Sequence, residues 1–189
     1  HQKINLEIFQ SWMRILKKRD KSILWLLRDN KFSENNLKKE ASNFGIDPSR
    51  LIFAEKLEIN QHLSRLKFAD LFLDTYPYGA HTTCSNALRM GLPVVTLAGD
   101  SFASRVSASL LNSINLNELV TDNLENYEKL AIGISSDEKF FIEIKDKIKL
   151  QIKSSNLFKP EVFTKNLEKA FKLIYENYLE GNNPKNIEL

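Results

Sequence analysis

The sequence has one cysteine, Cys84, and three histidines in 189 residues. A single cysteine excludes an internal disulfide framework and a cysteine-rich zinc site, and the histidines form no HExxH pair or other metal-binding spacing. The apolar runs are too short to span a bilayer, and the N-terminus lacks a signal-peptide pattern. We therefore expect no metal and no membrane partner, and the cytoplasm is the expected compartment.

Motifs that bind common cofactors are also missing. No GxGxxG fingerprint follows the first predicted strand, and the sequence has neither a GxxxxGK[ST] loop nor a GxSxG nucleophile elbow. A dinucleotide cofactor is therefore not indicated. The net charge is only +3, because 24 Asp and Glu residues balance most of the 27 Lys and Arg residues. Since acidic and basic residues interleave without a basic block, we expect no nucleic-acid partner.

The composition is that of a folded domain, with 42% hydrophobic and 27% charged residues. Apolar residues at helical spacing alternate with short apolar runs typical of strands. Ser33 is predicted to cap the second helix, and Gly45 to end it. The predicted helices cover residues 6–18, 33–45, 60–67, 85–90, 101–111, 125–134, 137–152 and 160–179, and the predicted strands cover residues 22–28, 50–54, 70–74, 93–97 and 119–121.

Short strands separated by helices predict an α/β fold, with a Rossmann-like parallel sheet covered by helices on both faces. The runs at residues 22–28 and 50–54 are nearly continuously apolar, so both strands are predicted to be buried on both faces. The length suits a single domain over residues 1–189. After about Leu124 the pattern is wholly helical, and residues 155–189 are predicted to form a C-terminal helical appendage.

The most informative stretch runs from Leu71 to Leu97 and reads LFLDTYPYGAHTTCSNALRMGLPVVTL. Its order is strand, polar loop, helix and strand, which places His81, Thr82 and Thr83 with free backbone N–H groups at a helix N-terminus. Anions bind readily at such a terminus, so the segment predicts phosphate recognition. The alternative is that one of the two threonines only caps the helix.

Several other side chains have both a functional and a structural interpretation. Lys3 precedes the first helix and could reach a diphosphate, although most terminal lysines are solvated surface charges. His62 follows the second strand, where parallel sheets bind ligands, and is either a ring that stacks on a base or a half-exposed helix residue. Arg65 could support a ligand there or be solvated. Cys84 has no evident base partner and is interpreted as a buried packing residue.

Three stretches together resemble one family: SILWLLR, then RLIFAEKLEINQHLSRLKFADLFLDTYPYGAHTT, then ALRMGLPVVTLAGDSFASRVSASLL. They look like the C-terminal half of the O-linked N-acetylglucosamine transferases, which are protein-modifying glycosyltransferases with a GT-B fold, often preceded by tetratricopeptide repeats. The resemblance extends from Lys3 to about Asn183, and the order of LDT, HTT, GLPVVTL and ASRV makes it specific. The plant SPINDLY-like relatives, which use GDP-fucose, are similar as well.

The resemblance implies how a UDP-sugar would be bound. Lys3 matches the family lysine that contacts the diphosphate and helps UDP to leave, which makes it the expected catalytic residue; a fixed cation stabilises the negative charge of the leaving group. His62 matches the histidine that stacks on uracil. The other matches are His81, Thr82 and Thr83 in the loop that holds the diphosphate, Leu57, Glu58 and Ile59 in the segment whose backbone reads the uracil edge, and Arg65 near that segment.

Two positions depart from the family pattern. Asn86 stands where the family commonly has an aspartate that grips the ribose hydroxyls, so a charge-assisted hydrogen bond is lost. Ile59 stands where a lysine often follows the uracil-reading segment. Both changes are expected to weaken donor binding or to alter the choice of donor.

The expected function is the donor-binding half of a protein O-glycosyltransferase, which transfers N-acetylglucosamine from UDP-N-acetylglucosamine to Ser or Thr without a metal or cofactor. The resemblance also implies an N-terminal half that supplies much of the acceptor site. That half is expected to be absent from these 189 residues, so the chain alone is not expected to complete transfer. The alternatives are a GDP-fucose-using O-fucosyltransferase, another GT-B enzyme, and a non-catalytic interaction module with a decayed donor site.

Overall fold

Helices and parallel strands alternate along the chain, as the apolar pattern predicts. The computed structural model describes residues 2–188. The helices are α1 (Leu6–Lys18), α2 (Lys31–Asn43), α3 (Ile59–Arg65), α4 (Thr82–Arg89), α5 (Phe102–Ser113), α6 (Leu124–Ser136), α7 (Glu138–Ser154) and α8 (Pro160–Leu179). The strands are β1 (Leu24–Leu27), β2 (Leu51–Ala54), β3 (Phe72–Leu73), β4 (Val94–Leu97) and β5 (Val120–Thr121).

The strand β4 is the centre of the larger sheet. It pairs in parallel with β3, where Phe72 lies beside Val94, and with β5, where Thr96 lies beside Val120. All four residues of β4 are buried. The strands β1 and β2 form a second parallel pair, and no ladder joins the two groups within residues 2–188. Parallel strands with helical connections confirm the predicted α/β fold class.

The prediction that β1 and β2 are buried on both faces is wrong. Leu51 and Phe53 are buried, but Ile52 between them is 43% exposed, and Leu27 in β1 is 53% exposed. Successive side chains of a strand point to opposite faces, so one face of this pair contacts the core and the other is open. The error arose because these runs lack the polar alternation by which a half-exposed strand is recognised.

The helix α2 begins at Lys31, earlier than predicted. Asn30 is its N-cap, and the Oδ1 atom of Asn30 accepts a hydrogen bond of 2.9 Å from the backbone N–H of Ser33. The prediction of Ser33 as the cap is therefore wrong, because that residue is the third of the helix and the partner of the cap. Asparagine and serine cap helices about equally well, so residue type does not distinguish them. Gly45 has a φ of 74° just beyond the helix, which confirms the predicted end.

The C-terminal helices differ in how closely they pack against the rest of the chain. The helix α6 contacts α1 and β4, and α7 contacts α6 and α4. The helix α8 has no buried residue, and its Phe163, Phe171 and Tyr178 side chains are exposed. The separation of residues 155–189 as an appendage stays a prediction. No helix within residues 2–188 has the length and apolar character needed to cross a membrane.

Candidate functional site

The loop between β3 and α4, residues 74–81, lies at the carboxyl end of the parallel sheet. The backbone N–H of Asp74 continues the pairing of β3 by donating to Val95 O at 3.0 Å. The chain then turns through a cis peptide bond between Tyr76 and Pro77. It reaches α4 immediately after His81. Ligands of α/β proteins bind at this end of the strands, so the fold puts the predicted phosphate-binding residues where a ligand is expected.

The N-terminus of α4 has no side-chain cap. His81 is the N-cap residue, and its side chain accepts no hydrogen bond from the helix. The first main-chain bond of the helix runs from Ser85 N–H to His81 O at 3.1 Å, which leaves the N–H groups of the preceding three residues without a partner inside the helix. Such free N–H groups, together with the helix dipole, favour an anion.

Two sequence expectations about this helix are wrong. The helix was predicted to start at Ser85 but starts at Thr82. The alternative that Thr82 or Thr83 caps it also fails, because both residues lie in the first turn with exposed side chains. Threonine is common at capping positions, so the sequence favoured a helix that starts after the two threonines. The consequence is that both threonines present a backbone N–H and a hydroxyl at the same helix end.

Lys3 is fastened to the β3–α4 loop. Its Nζ atom donates to Gly79 O at 2.8 Å and lies 4.3 Å from the centroid of the Tyr78 ring. A hydrogen bond and a cation–π contact hold the ammonium in one place. The interpretation of Lys3 as a freely solvated terminal charge is therefore wrong, and the structure brings Lys3 and the predicted phosphate loop together.

The ring of His81 is held between two aromatic side chains. It stacks on Tyr78 with centroids 5.4 Å apart and an interplanar angle of 17°, and it meets the edge of Phe102 at 5.8 Å. Tyr78 and Phe102 are 50% and 81% exposed, so both rings border the open side of the site. Sequence reasoning missed both residues. Their only signal was an aromatic residue within a polar loop and another at the start of a helix.

Asn5 is a second link between the start of α1 and the loop. Its Oδ1 accepts from Ile8 N–H at 2.9 Å and so caps α1, while its Nδ2 donates to Tyr76 O at 2.9 Å. One side chain therefore fixes both the helix start that follows Lys3 and the loop that precedes His81. Sequence reasoning missed Asn5, because its capping role alone explains an asparagine before a helix.

His62 and Arg65 form a separate cluster on α3. Two guanidinium nitrogens of Arg65 lie 3.2 and 3.0 Å from His62 Nδ1, and Arg65 also donates to Glu55 O at 2.5 Å. Its guanidinium lies 5.6 Å from the centroid of the Trp25 ring. Partial burial, and then the charge of Arg65, lower the pKa of His62 below its usual value, so its ring is neutral near pH 7. A neutral ring suits stacking on a base.

The segment predicted to read the uracil edge joins β2 to α3. Leu57 and Ile59 are 39% and 56% exposed, and Glu58 is exposed as well. Glu58 O accepts from His62 N–H at 2.8 Å as α3 begins. Within residues 2–188, no hydrogen bond or ring contact joins this segment or His62 to the Lys3–His81 cluster. The structure thus forms two groups of predicted site residues, one after β2 and one after β3.

Two further residues of interest, Asn86 and Cys84, lie on α4. Asn86 is half-buried, one turn beyond the two threonines, and its side-chain amide has no hydrogen-bond partner among residues 2–188. Cys84 is fully buried, and burial raises its pKa to about 12, which confirms a packing role over a nucleophilic one. The part of the chain that the structure describes holds no group of three or more His, Cys, Asp or Glu residues suited to a metal ion.

Comparisons with known proteins identify the family of the chain. The family described as Glycosyl transferase family 41 matches residues 1–167. The chain is 32% identical over 179 residues to a UDP-N-acetylglucosamine–peptide N-acetylglucosaminyltransferase of Caenorhabditis elegans, which covers 95% of this chain and 16% of that relative. It is 28% identical over 188 residues to a protein of Arabidopsis thaliana described as a probable transferase of the same type, SEC, covering 99% of this chain and 19% of that relative.

A solved structure agrees in fold. An O-GlcNAc transferase variant from Thermobaculum terrenum matches with a TM-score of 0.87 and 28% identity, over 93% of this chain and 34% of that one. The resemblance seen in the sequence motifs is thereby confirmed, although the chain spans well under half of each relative. Because the family match covers most of its residues, the chain belongs to glycosyl transferase family 41.

Proposed function

We propose that this chain binds the nucleotide-sugar donor of a protein O-glycosyltransferase and that the donor is UDP-N-acetylglucosamine. One observation carries the proposal: the Lys3 ammonium is held on Gly79 O, in the loop that leads into the uncapped N-terminus of α4. A fixed cation and free N–H groups at one sheet end form an anion site of the kind that holds a diphosphate.

Lys3 and the free N–H groups of α4 are proposed to act on the donor by electrostatic stabilisation. An ammonium has three donors, and Lys3 uses one on Gly79 O, which leaves two for phosphate oxygens. When the bond between sugar and diphosphate breaks, negative charge grows on UDP, and a cation already in place stabilises it without reorganisation. The free N–H groups of Thr82 and Thr83 act on the same charge. The neutral ring of His62 is proposed to stack on the base.

The descriptions of two relatives support the proposed donor and acceptor. Those from C. elegans and A. thaliana are described as UDP-N-acetylglucosamine–peptide transferases. The chain covers only 16% and 19% of their lengths. We therefore propose that transfer takes place in a longer polypeptide and that residues outside this chain contact a peptide acceptor.

Isothermal titration of the chain with UDP, GDP and uridine tests the proposal. UDP is expected to bind about tenfold or more tightly than uridine, because one hydrogen bond to a charged group contributes about 1.5–3 kcal/mol. UDP is also expected to bind more tightly than GDP. A preference for GDP would favour the GDP-sugar alternative, and no binding of either nucleotide at millimolar concentration would favour a non-catalytic module.

A further inference from the structure

Asp74 is a buried acid that the proposed chemistry does not use. Its side chain is 1% exposed. Among the described residues, it is the one buried Asp, Glu, Lys, Arg or His. No Lys, Arg or His within residues 2–188 forms an ion pair with it. Burying an isolated carboxylate is energetically costly unless hydrogen bonds compensate for its lost hydration. The hydrogen-bond partners of Asp74 therefore indicate its role.

Two of those bonds go to the two ends of the β3–α4 loop. Asp74 Oδ1 accepts from Thr75 N–H at 2.8 Å and from Ala80 N–H at 2.7 Å. Asp74 Oδ2 accepts from the Thr96 hydroxyl at 2.7 Å, which ties the same carboxylate to the central strand β4. One side chain thus closes the loop and anchors it to the most buried strand.

Ala80 is held on its other side as well. The Ser107 hydroxyl donates to Ala80 O at 2.7 Å, and the neighbouring Gly79 N–H donates to Ala103 O at 2.9 Å. Both polar groups of Ala80 are therefore fixed, one by Asp74 and one by α5. Ala80 directly precedes His81, the N-cap of α4.

We infer that Asp74 is a positioning residue, which sets the β3–α4 loop so that the N-terminus of α4 and Lys3 converge on the phosphates of the donor. The inference rests on the proposed function for the identity of the ligand. Asp74 does not touch the ligand itself, since a side chain 1% exposed beneath the loop has no open side to receive a substrate. It acts through Ala80 and Gly79: Ala80 directly precedes His81 in the chain, and Gly79 O accepts the hydrogen bond from Lys3.

The test compares UDP with uridine in variants of the chain, because only UDP carries phosphates. In Asp74→Ala, the UDP-to-uridine affinity ratio is expected to fall about tenfold or more while uridine affinity stays unchanged. In Asp74→Asn, the ratio is expected to stay within about threefold of the wild-type value, because the amide oxygen can still accept both loop N–H bonds. A ratio in a folded Asp74→Ala variant equal to that of the wild type would overturn the inference.

Two milder variants test the same inference if Asp74→Ala does not fold. Ser107→Ala removes one buried hydroxyl bond to Ala80 O, and Thr121→Val removes one buried hydroxyl bond, 2.9 Å long, to Thr96 O in the sheet. Only Ser107→Ala is expected to lower the UDP-to-uridine ratio. Equal ratios in the two variants would contradict the inference.

Amide hydrogen exchange separates this inference from the proposed function. The Ala80 amide is expected to exchange about tenfold or more faster in Asp74→Ala or in Ser107→Ala than in Thr121→Val, with no ligand present. If the wild-type chain binds no UDP but Ala80 responds in this way, the proposed function fails and the loop-setting role of Asp74 stands. If UDP binds and Ala80 exchange is unaltered, the positioning role fails alone.

Discussion

Lys3 Nζ donates a hydrogen bond of 2.8 Å to the carbonyl oxygen of Gly79, although 76 positions separate the two residues in the chain. Asn5 makes a similar connection to Tyr76 O at 2.9 Å. The segment before α1 and the β3–α4 loop are therefore one structural unit. Contacts within the protein fix the cation beside the loop, which is the condition for electrostatic preorganisation.

Replacing Lys3 by methionine is expected to weaken UDP binding about tenfold or more and to leave uridine binding unchanged, because the lost interaction is with phosphate alone. Titration calorimetry measures both affinities. Lys139→Met is the matched control, since the Lys139 side chain is 87% exposed and its pairing with Glu143 is long, at 3.9 Å. Equal UDP affinities in the two variants would contradict the role assigned to Lys3.

Local patterns in the sequence were sufficient for most of the fold. The spacing of Ile8, Trp12 and Ile15 predicted α1 over the residues that the structure assigns to it, since one buried face of a helix repeats every three to four residues. The short strand β5 was also predicted at its observed place, next to the helical C-terminal part. Burial of β1 and β2 was not predictable, because it depends on which elements cover them.

The candidate site was predictable in its residue types but not in its contacts. Lys3 and His81 were named from the sequence, yet they are brought together by contacts with Gly79 O and the Tyr78 ring, which no local pattern predicted. Asp74 was visible only as the polar end of a strand. The partners of its carboxylate lie up to 22 positions away, on the loop and on β4, so its role depends on the tertiary structure.

Gly79 lies so close to neighbouring oxygen atoms that a larger side chain would crowd them. A Cβ atom there would lie 3.2 Å from both Ala103 O and Asp74 Oδ2. Gly79→Ala is therefore expected to lower the free energy of unfolding by about 1–3 kcal/mol, as overpacking does. Urea denaturation followed by circular dichroism measures the change.

Gly133→Ala is the control for that substitution. A Cβ atom at Gly133, within α6, would have no atom within 4 Å. The alanine is expected to raise the free energy of unfolding by about 0.5–1 kcal/mol, because glycine is unfavourable inside a helix. Effects of the same sign at both positions would show that the crowding at Gly79 does not matter.

Tyr127 joins α1 to the end of β3 through one buried hydroxyl. The hydroxyl accepts from Trp12 Nε1–H at 3.1 Å and donates to Asp74 O at 2.9 Å. Tyr127→Phe leaves both partners buried and unpaired, so it is expected to lower the free energy of unfolding by about 1–3 kcal/mol. Tyr178→Phe, at a side chain that is 74% exposed, is expected to change it by less than about 0.5 kcal/mol. A similar small effect in both would contradict the prediction.

The stability contributed by Asp74 depends on pH. Burial raises the pKa of Asp74 above its usual value, against the opposing effect of the hydrogen bonds it accepts. The folded state therefore binds this proton more tightly than the unfolded state does. The resulting stability is present below the unfolded pKa of about 3.9 and is lost as pH rises through the folded pKa.

Asp74→Asn removes this titration. The free energy of unfolding of the wild type minus that of Asp74→Asn is expected to fall as pH rises from about 4 to about 7, because only the wild type loses the contribution of the proton. Urea denaturation of both proteins across this range measures the difference. A difference that stays constant or grows with pH would contradict the raised pKa.

Asn86 offers a prediction in which affinity increases. The amide of Asn86 is half-buried on α4, has no hydrogen-bond partner within residues 2–188, and stands where the family resemblance places an aspartate that grips the ribose. A carboxylate accepts a stronger, charge-assisted hydrogen bond from a hydroxyl, so Asn86→Asp is expected to tighten both UDP and uridine binding by about three- to tenfold. A gain shared by both ligands would assign the contact to the ribose.

Asn36→Asp is the control, because it adds the same charge to an exposed position of α2, and it is expected to change neither affinity. If Asn86→Asp weakens UDP but not uridine, the new charge repels the phosphates, and the residue faces the diphosphate instead of the ribose.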